Sequence, residues 1–515
     1  MGNRTAISVA LSLPALQSCS ACMQAIFHVV LPLIVSCVFL AGARRGKKPM
    51  IPNGNRLPPS PWRLPVIGNL HQLGSLQHRS LRALAAAHGP VMLLRLGQMP
   101  AVLVSSADAA REVMQAQDHV FASRPWLTIP RRLLYGCTDI AFAPHGPYWR
   151  GARKMSVRHL LSPSRVSAYR VVREQEVEAL VRRVGEQAGN TVHLSELPND
   201  FAKDVAGRIV LGLRAAGDDG WRAKVDALLE ESNVLLAAFH VGDFIPWLSW
   251  VSYVDGTDAR VRRASERIDR ILEEIVDAAT ATAREIPSPG QEGTNDVALI
   301  HVLLSMQQNE SSVAPGTAEW CLSRDNVKAL LEGLFGAGTE ATIIVLEWAM
   351  AELLRNKGAM HKLQREVRQA RSASSHNNMI GEQDLPGMEY LRAAAQISNR
   401  YDVPSSTMVI VNAWAIARDP EAWESPEEFR PERFVGSGVD FRGQHFQSIP
   451  FGAGRRMCPG INLAMSVVEL ALANLVAGFD WALPEGEVEL DMEETTGCTA
   501  RKRAPHRAIA TRCYF

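Results

Sequence analysis

Phe451-Gly452-Ala453-Gly454-Arg455-Arg456-Met457-Cys458-Pro459-Gly460 is the stretch that decides how this chain is read, and an apolar helix is predicted directly after it, from Ile461 to Ala477. A cysteine in a glycine-rich turn at a helix start has backbone N–H groups and a favourable dipole beside it, and both stabilise a thiolate. The glycines let the loop pass close to a planar ligand, and an adjacent arginine can pair with carboxylates on that ligand. A buried structural cysteine is the alternative, but it would not need a phenylalanine, three glycines and two arginines around it. Haem iron held by a cysteine thiolate is the chemistry that this combination fits.

Composition narrows the class. The 515 residues carry 55 Lys+Arg against 54 Asp+Glu, a formal net charge of +1, with 47% hydrophobic and 21% charged residues. That is a globular composition with ample core, which excludes a wholly disordered, collagenous or coiled-coil chain. Near-neutrality gives no general attraction to nucleic acid, and none is expected as a partner. A mean hydropathy of -0.05 excludes a polytopic membrane protein but leaves room for a single anchor. The cysteines at 19, 22, 37, 137, 321, 458, 498 and 513 follow no regular spacing, so a disulfide framework is not expected.

An anchor is expected at residues 20–43, which are apolar apart from Gln24 and His28 and long enough to cross roughly 30 Å of hydrocarbon. Arg44, Arg45, Lys47 and Lys48 follow at once, while only Arg4 precedes. The positive-inside rule then leaves residues 1–19 in the lumen and the rest in the cytosol. Ala41-Gly42-Ala43 resembles a signal-peptide cleavage site, but the basic residues lie on the wrong side of the apolar stretch for one. Residues 44–65 form a basic, proline-rich hinge; its Arg56-Leu-Pro-Pro-Ser-Pro61-Trp-Arg-Leu-Pro65 reads as a stiff strap or an ordinary linker.

The body, residues 66–515, is read as mainly α with a smaller β region. Long amphipathic helices fill Leu81 to Glu285, for example Arg170 to Gly185, and Val91–Leu96 with Ala101–Ser105 suggest a hairpin. One helix is unusually long, from an N-cap at Ser323 to about Arg355. Its middle holds Gly333, Gly336 and Gly338, each costing about 1 kcal/mol relative to alanine in a helix interior. Either another helix packs closely there, or small residues admit something flat and bulky, with Glu340 and Thr342 offering polar groups beside it.

With these residues in place, the chain from Arg56 onward resembles the cytochrome P-450 superfamily, in its microsomal plant type. Phe451-x-x-Gly454-x-Arg456-x-Cys458-x-Gly460 is similar to that family's haem-thiolate loop. Trp149-Arg-Gly-Ala-Arg153 looks like its W-x-x-x-R, Ala337-Gly-Thr-Glu-Ala-Thr342 its oxygen-activating motif, and Pro431-Glu-Arg-Phe434 its P-E-R-F segment. Gln117-Asp-His-Val-Phe-Ala-Ser-Arg-Pro125 and His301-Val-Leu-Leu-Ser-Met-Gln-Gln308 are similar to grass members acting on indolic compounds. The resemblance implies the cytochrome P-450 fold with one N-terminal transmembrane helix, haem b held through Cys458 on the iron, and Phe451 against the cofactor. Trp149, Arg153 and Arg456 would hold its propionates, and Glu340 and Thr342 would stand near the oxygen. It also implies a monooxygenase in the endoplasmic reticulum membrane. NADPH-cytochrome reductase would supply electrons, and a small apolar substrate would react with O₂.

The chain departs from the family pattern in two places. The first lies between Tyr390-Leu-Arg-Ala393 and Tyr401-Asp-Val-Pro404, where only residues 394–400 stand. Roughly two dozen residues of the family pattern are absent there, beyond ordinary loop variation, and with them the E-x-x-R helix and a substrate-lining strand. Glu389-Tyr-Leu-Arg392 spells E-x-x-R but sits too early. An Arg433 buried without that partner would cost about 3–5 kcal/mol. The second departure is Ala341, where the family usually has threonine. Thr342 follows, about 100° further round the helix. A catalytically impaired relative is therefore the alternative reading.

Overall fold

The structure is a computed structural model that describes residues 57–212, 219–283, 297–311, 322–373, 379–394, 407–487, 489–495 and 497–513. The expected anchor at 20–43 and the junction at 395–406 lie outside the described residues. The principal elements, in chain order, begin with α1 (Gln77–His88), β1 (Val91–Leu96), β2 (Met99–Val104), α2 (Pro147–Met155), α3 (Arg170–Glu186) and β3 (Thr191–His193). They continue with α4 (Leu197–Ala206), α5 (Asp219–Leu236), α6 (Thr257–Ala283), α7 (Leu299–Ser311) and α8 (Arg324–Arg355). The chain closes with α9 (Lys357–Ala373), α10 (Glu389–Ala394), β4 (Met408–Val411), α11 (Ile461–Gly478), β5 (Phe479–Ala482) and β6 (Arg507–Arg512).

Helix α8 is the axis of the body. The Ser323 hydroxyl accepts the Asn326 N–H at 3.1 Å while the Asn326 side-chain oxygen accepts the Ser323 N–H at 3.0 Å, a reciprocal cap that starts the helix where the sequence places it. Helices α4, α6, α7, α9 and α11 all pack on α8, and α11 also packs on α3 and α9. Both α8 and α11 are long and apolar enough to cross a membrane, yet most of each lies buried in this helical core. Their apolar character reflects burial against neighbouring helices.

Two small sheets flank the helices. In the first, β1 and β2 form the expected hairpin, with Val91 opposite Val104 and Leu96 opposite Met99. Strand β2 starts two residues earlier than the sequence suggests, because Gly97-Gln98 alone makes the turn. Gly97 has φ of +61°, and a Cβ there would fall 2.4 Å from the Phe244 carbonyl oxygen. Residues 101–104 are buried, as befits a strand covered on both faces. Strand β4 pairs directly with β2 in parallel, Ala101 with Met408 through Val104 with Val411. The second sheet, ordered β3-β6-β5, is antiparallel throughout.

Arg433 does not carry the burial cost anticipated for it. It is only half-buried, it lies 5.6 Å from the Trp423 ring centre, and its guanidinium donates to the carbonyls of Arg430, Ser425 and Glu428 at 3.2, 3.0 and 2.7 Å. Three backbone carbonyls thus serve this guanidinium. On α10, Arg392 pairs with Glu469 of α11 at 3.3 Å, while Glu389 is exposed.

One buried acid in α8 makes the core sensitive to pH. Glu332 is 4% exposed; Oε1 accepts from Ser232 at 3.0 Å and Oε2 has no partner among the described residues. Burial, offset in part by Ser232 and reinforced by the Asp139 charge, raises its pKa to about 8. A raised carboxyl holds its proton in the fold longer than in the unfolded chain. Its contribution is therefore intact at low pH and is lost as pH rises towards 8. Glu332→Gln, neutral at every pH, should match the parent's thermal stability near pH 5 and exceed it by about 1–3 kcal/mol at pH 8.5, as read by calorimetry.

Candidate functional site

The loop before α11 is fixed by contacts at both ends. The Cys458 N–H donates to the Phe451 carbonyl at 2.8 Å, and the Met457 N–H to the Gly454 carbonyl at 3.1 Å. Gly454, at φ of +60°, passes so close to another segment that a Cβ would lie 1.7 Å from the Met114 carbonyl oxygen. Arg455 extends the same contact, its Nε donating to Asp118 at 2.9 Å. From the other side, Arg153 of α2 donates to the Met457 carbonyl. The half-buried Phe451 ring packs edge-on against Phe441, with centroids 5.9 Å apart.

Opposing effects meet at the Cys458 thiol. Burial pushes its pKa up, and this outweighs the Gly460 N–H and the Arg153 charge, which pull it down. Cys458 nonetheless has accessible surface, and so does the exposed Arg124, whose pKa burial lowers.

Beside that sulfur the chain gathers positive charge. Arg456 donates to the carbonyls of Ala122, Ile140 and Ala143 at 2.6, 3.1 and 2.6 Å, and its guanidinium lies 4.1 Å from the Trp149 ring centre. Trp149, 4% exposed, donates its indole N–H to the same Ile140 carbonyl at 3.0 Å. Burial, then the charges of Arg124 and Arg153, lower the Arg456 pKa to about 9, and Asp139 offsets only part of this. Burial lowers Arg153 as well. Three guanidinium groups crowding one another are the environment that a dicarboxylate ligand relieves. The residues therefore fit a haem: Cys458 for the iron, and Arg153 and Arg456 with Trp149 for the propionates.

Arg124 joins this cluster although it was not singled out from the sequence; the Phe121-Ala-Ser-Arg124 segment already contained it. His145 was also missed. Its Nε2 is buried without a partner among the described residues, and its ring lies 5.4 Å from that of Trp149. No spacing in the sequence distinguishes it.

Helix α8 carries the other residues expected at the site. Ala337, Gly338 and Ala341, on one face of an otherwise buried helix, are exposed. The three glycines divide their roles. Cβ atoms at Gly333 and Gly336 would meet Asp139 at 3.4 Å and Leu229 at 3.9 Å, whereas one at Gly338 would meet nothing within 4 Å. Thr342 is 4% exposed, and its hydroxyl donates back to the Gly338 carbonyl at 2.7 Å. One residue of helix rotation thus turns the hydroxyl into the backbone and leaves the methyl of Ala341 on the open side, so the two polar groups expected here do not converge on it. Glu340, 9% exposed, is engaged by Arg501, Thr499 and Asn233. Burial would raise its pKa, but these three partners together hold it below the usual value.

If the guanidinium cluster holds propionates, esterifying them should weaken binding. Protoporphyrin dimethyl ester should bind the apoprotein at least tenfold more weakly than protoporphyrin, and Arg456→Gln should shrink that difference. Fluorescence quenching titration measures both.

Comparison with known proteins follows from this geometry. The chain matches the cytochrome P-450 family over residues 58–396 and 393–507. It is 40% identical over 515 residues to norfluorocurarine oxidase of Strychnos sp, covering 94% of this chain and 98% of that protein. It is 39% identical over 501 residues to (+)-menthofuran synthase of Mentha piperita, covering 93% and 97%. Among solved structures, a zebra fish cytochrome P-450 with abiraterone superposes with a TM-score of 0.69 at 22% identity, covering 86% of this chain and all of that one, which supports the fold. Matched by the family on both sides of residues 393–396 and by plant relatives over nearly their whole lengths, this chain belongs to the cytochrome P-450 family of haem-thiolate monooxygenases, which bind haem b.

Proposed function

We propose that this protein is a monooxygenase that inserts one atom of O₂ into a small apolar plant metabolite, using electrons from NADPH-cytochrome reductase. The carrying observation is the pairing of a fixed Cys458 loop and its guanidinium cluster with the open, small-residue face of α8. When bound, haem supplies the oxygen-activating chemistry. Cys458 would hold the iron, while Arg153, Arg456 and Trp149 orient the propionates. Ala337, Gly338 and Ala341 leave room for an apolar substrate and offer it no hydrogen bond from a side chain. Residues 1–19 are placed in the lumen, 20–43 as the anchor, 44–65 as the hinge and 66–515 as the cytosolic haem domain at the endoplasmic reticulum.

A second reading, a catalytically impaired relative, is supported by specific observations. The two family matches meet at residues 393–396, where the E-x-x-R segment is expected to be missing, and β4 pairs directly with β2. The open face of α8 also presents no hydroxyl. Proton delivery there falls to water alone, so electrons should be diverted from product.

The reduced, carbon-monoxide-bound difference spectrum separates the readings. A thiolate-type band, lost in Cys458→Ala, is expected; its absence from the parent would leave the impaired relative. Restoring a hydroxyl on the open face, by Ala341→Thr, should raise oxygenated product per NADPH consumed by about twofold or more. An unchanged ratio would show that position 341 does not limit coupling.

A further inference from the structure

Asp139 is buried, at 1% exposure, in the segment that leads into α2. Its Oδ2 accepts the Ala141 N–H at 2.7 Å and the Phe142 N–H at 3.1 Å, so the side chain closes a turn on its own backbone. The carbonyls of this folded segment serve the guanidinium cluster. That of Ile140 accepts from Arg456 at 3.1 Å and from the Trp149 indole at 3.0 Å, and that of Ala143 accepts from Arg456 at 2.6 Å. Of the three carbonyls that hold Arg456, only that of Ala122 comes from elsewhere.

The turn is fixed from both sides. On α8, Gly333 leaves a notch: a Cβ there would lie 3.4 Å from the Asp139 Cβ and 3.7 Å from Oδ2, so a side chain longer than alanine's would displace the acid. Upstream, Tyr135, Gly136 and Cys137 have φ of +49°, +76° and +60°. Non-glycine residues stay in that region only where their surroundings over-determine them. The Tyr135 phenol provides such a hold by donating to Asp269 of α6 at 2.8 Å. Lys328 of α8 reaches the same oxygen at 2.6 Å and lies 4.9 Å from the Tyr135 ring centre. Downstream, the Tyr148 hydroxyl of α2 donates to the Thr138 carbonyl at 2.6 Å. A segment pinned at this many points presents its carbonyls with little freedom.

We propose that Asp139 is a positioning residue of the propionate site: seated in the Gly333 notch of α8, it folds residues 139–143 into the turn whose carbonyls aim Arg456 and Trp149. Its contribution is the shape of the turn. Asp139 also offsets part of the crowding of positive charge at Arg456, and a role in charge alone is the competing explanation. The two are separable, because Oδ2 alone receives both N–H groups and an amide oxygen in its place keeps the turn while removing the charge. The proposal rests on the reading that Arg456 pairs with a propionate.

The test loads the full-length chain with haem or with haem dimethyl ester and follows transfer of each to excess apomyoglobin by absorbance. The parent should lose the ester at least tenfold faster than haem. Asp139→Ala should lose haem at least fivefold faster than the parent and change the ester rate by less than about twofold. Asp139→Asn should lose haem within about twofold of the parent. Adding Asp139→Ala to Arg456→Gln should leave the rate of Arg456→Gln nearly unchanged, since both act on one contact. Gly333→Leu, which fills the notch, should reproduce Asp139→Ala. Equal acceleration of haem and ester in Asp139→Ala would mean general destabilisation and overturn the proposal. So would an Asp139→Asn variant as fast as Asp139→Ala, which would assign the effect to charge. If Asp139→Ala yields no folded protein, the comparison passes to Asp139→Ser, whose hydroxyl closes the turn more weakly, and haem loss at the parent's rate there overturns the proposal. A parent that loses haem and ester equally fast would remove the propionate reading itself, a result distinct from any of these.

Discussion

Concentrating positive charge where protein excludes water is the constraint around which this structure is organised. Arg124, Arg153 and Arg456 are each desolvated, and Arg456 is pulled down to about 9 by burial and its like-charged neighbours. Such an arrangement holds only if the surrounding backbone is rigid and turns carbonyls towards it. That is what the Ala122, Ile140, Ala143 and Met457 oxygens do. The same carbonyls set the position of Trp149, the path of the 139–143 segment and the docking of α2 on the Cys458 loop. One electrostatic problem therefore dictates the geometry of three chain segments far apart in sequence.

The second organising choice is made in α8. A helix of this length, packed on most sides by other helices, would ordinarily fill its middle with large apolar side chains. Here the positions divide: Gly333 and Gly336 let neighbours approach, while Ala337, Gly338 and Ala341 keep one window clear. The helix accepts weaker intrinsic propensity in exchange for room, and its reciprocal Ser323–Asn326 cap and tertiary packing offset that loss.

Much of the fold was legible because its signals are local. The Ser323 cap, the glycine turn at 97–98 and the loop before Ile461 each depend on residues within a few positions of one another; the cap and the loop form where the sequence puts them, and β2 starts two residues early. What the sequence did not carry was orientation and long-range charge. The Glu340–Arg501 contact joins residues far apart in the chain, and nothing near Arg501 announces it. The rise in the Cys458 pKa depends on how deeply the loop is buried, which helix-terminus reasoning ignores. Arg433 was expected to suffer from a missing carboxylate, but backbone carbonyls and partial exposure supply the compensation. Side-chain counts cannot reveal partners of that kind.

The direct pairing of β2 with β4 has a consequence for biosynthesis. Strand β2 leaves the ribosome with one edge covered by β1, and its other edge waits for a partner whose first residue, Met408, lies about three hundred positions beyond Val104. At translation rates of about 5–20 residues per second, that edge stays open on the order of 15–60 s. The waiting segment, Ala101-Val-Leu-Val104, is wholly apolar and carries no charge to repel another chain. Nascent chains of this protein thus have a long interval in which the N-terminal hairpin can recruit a neighbouring polypeptide.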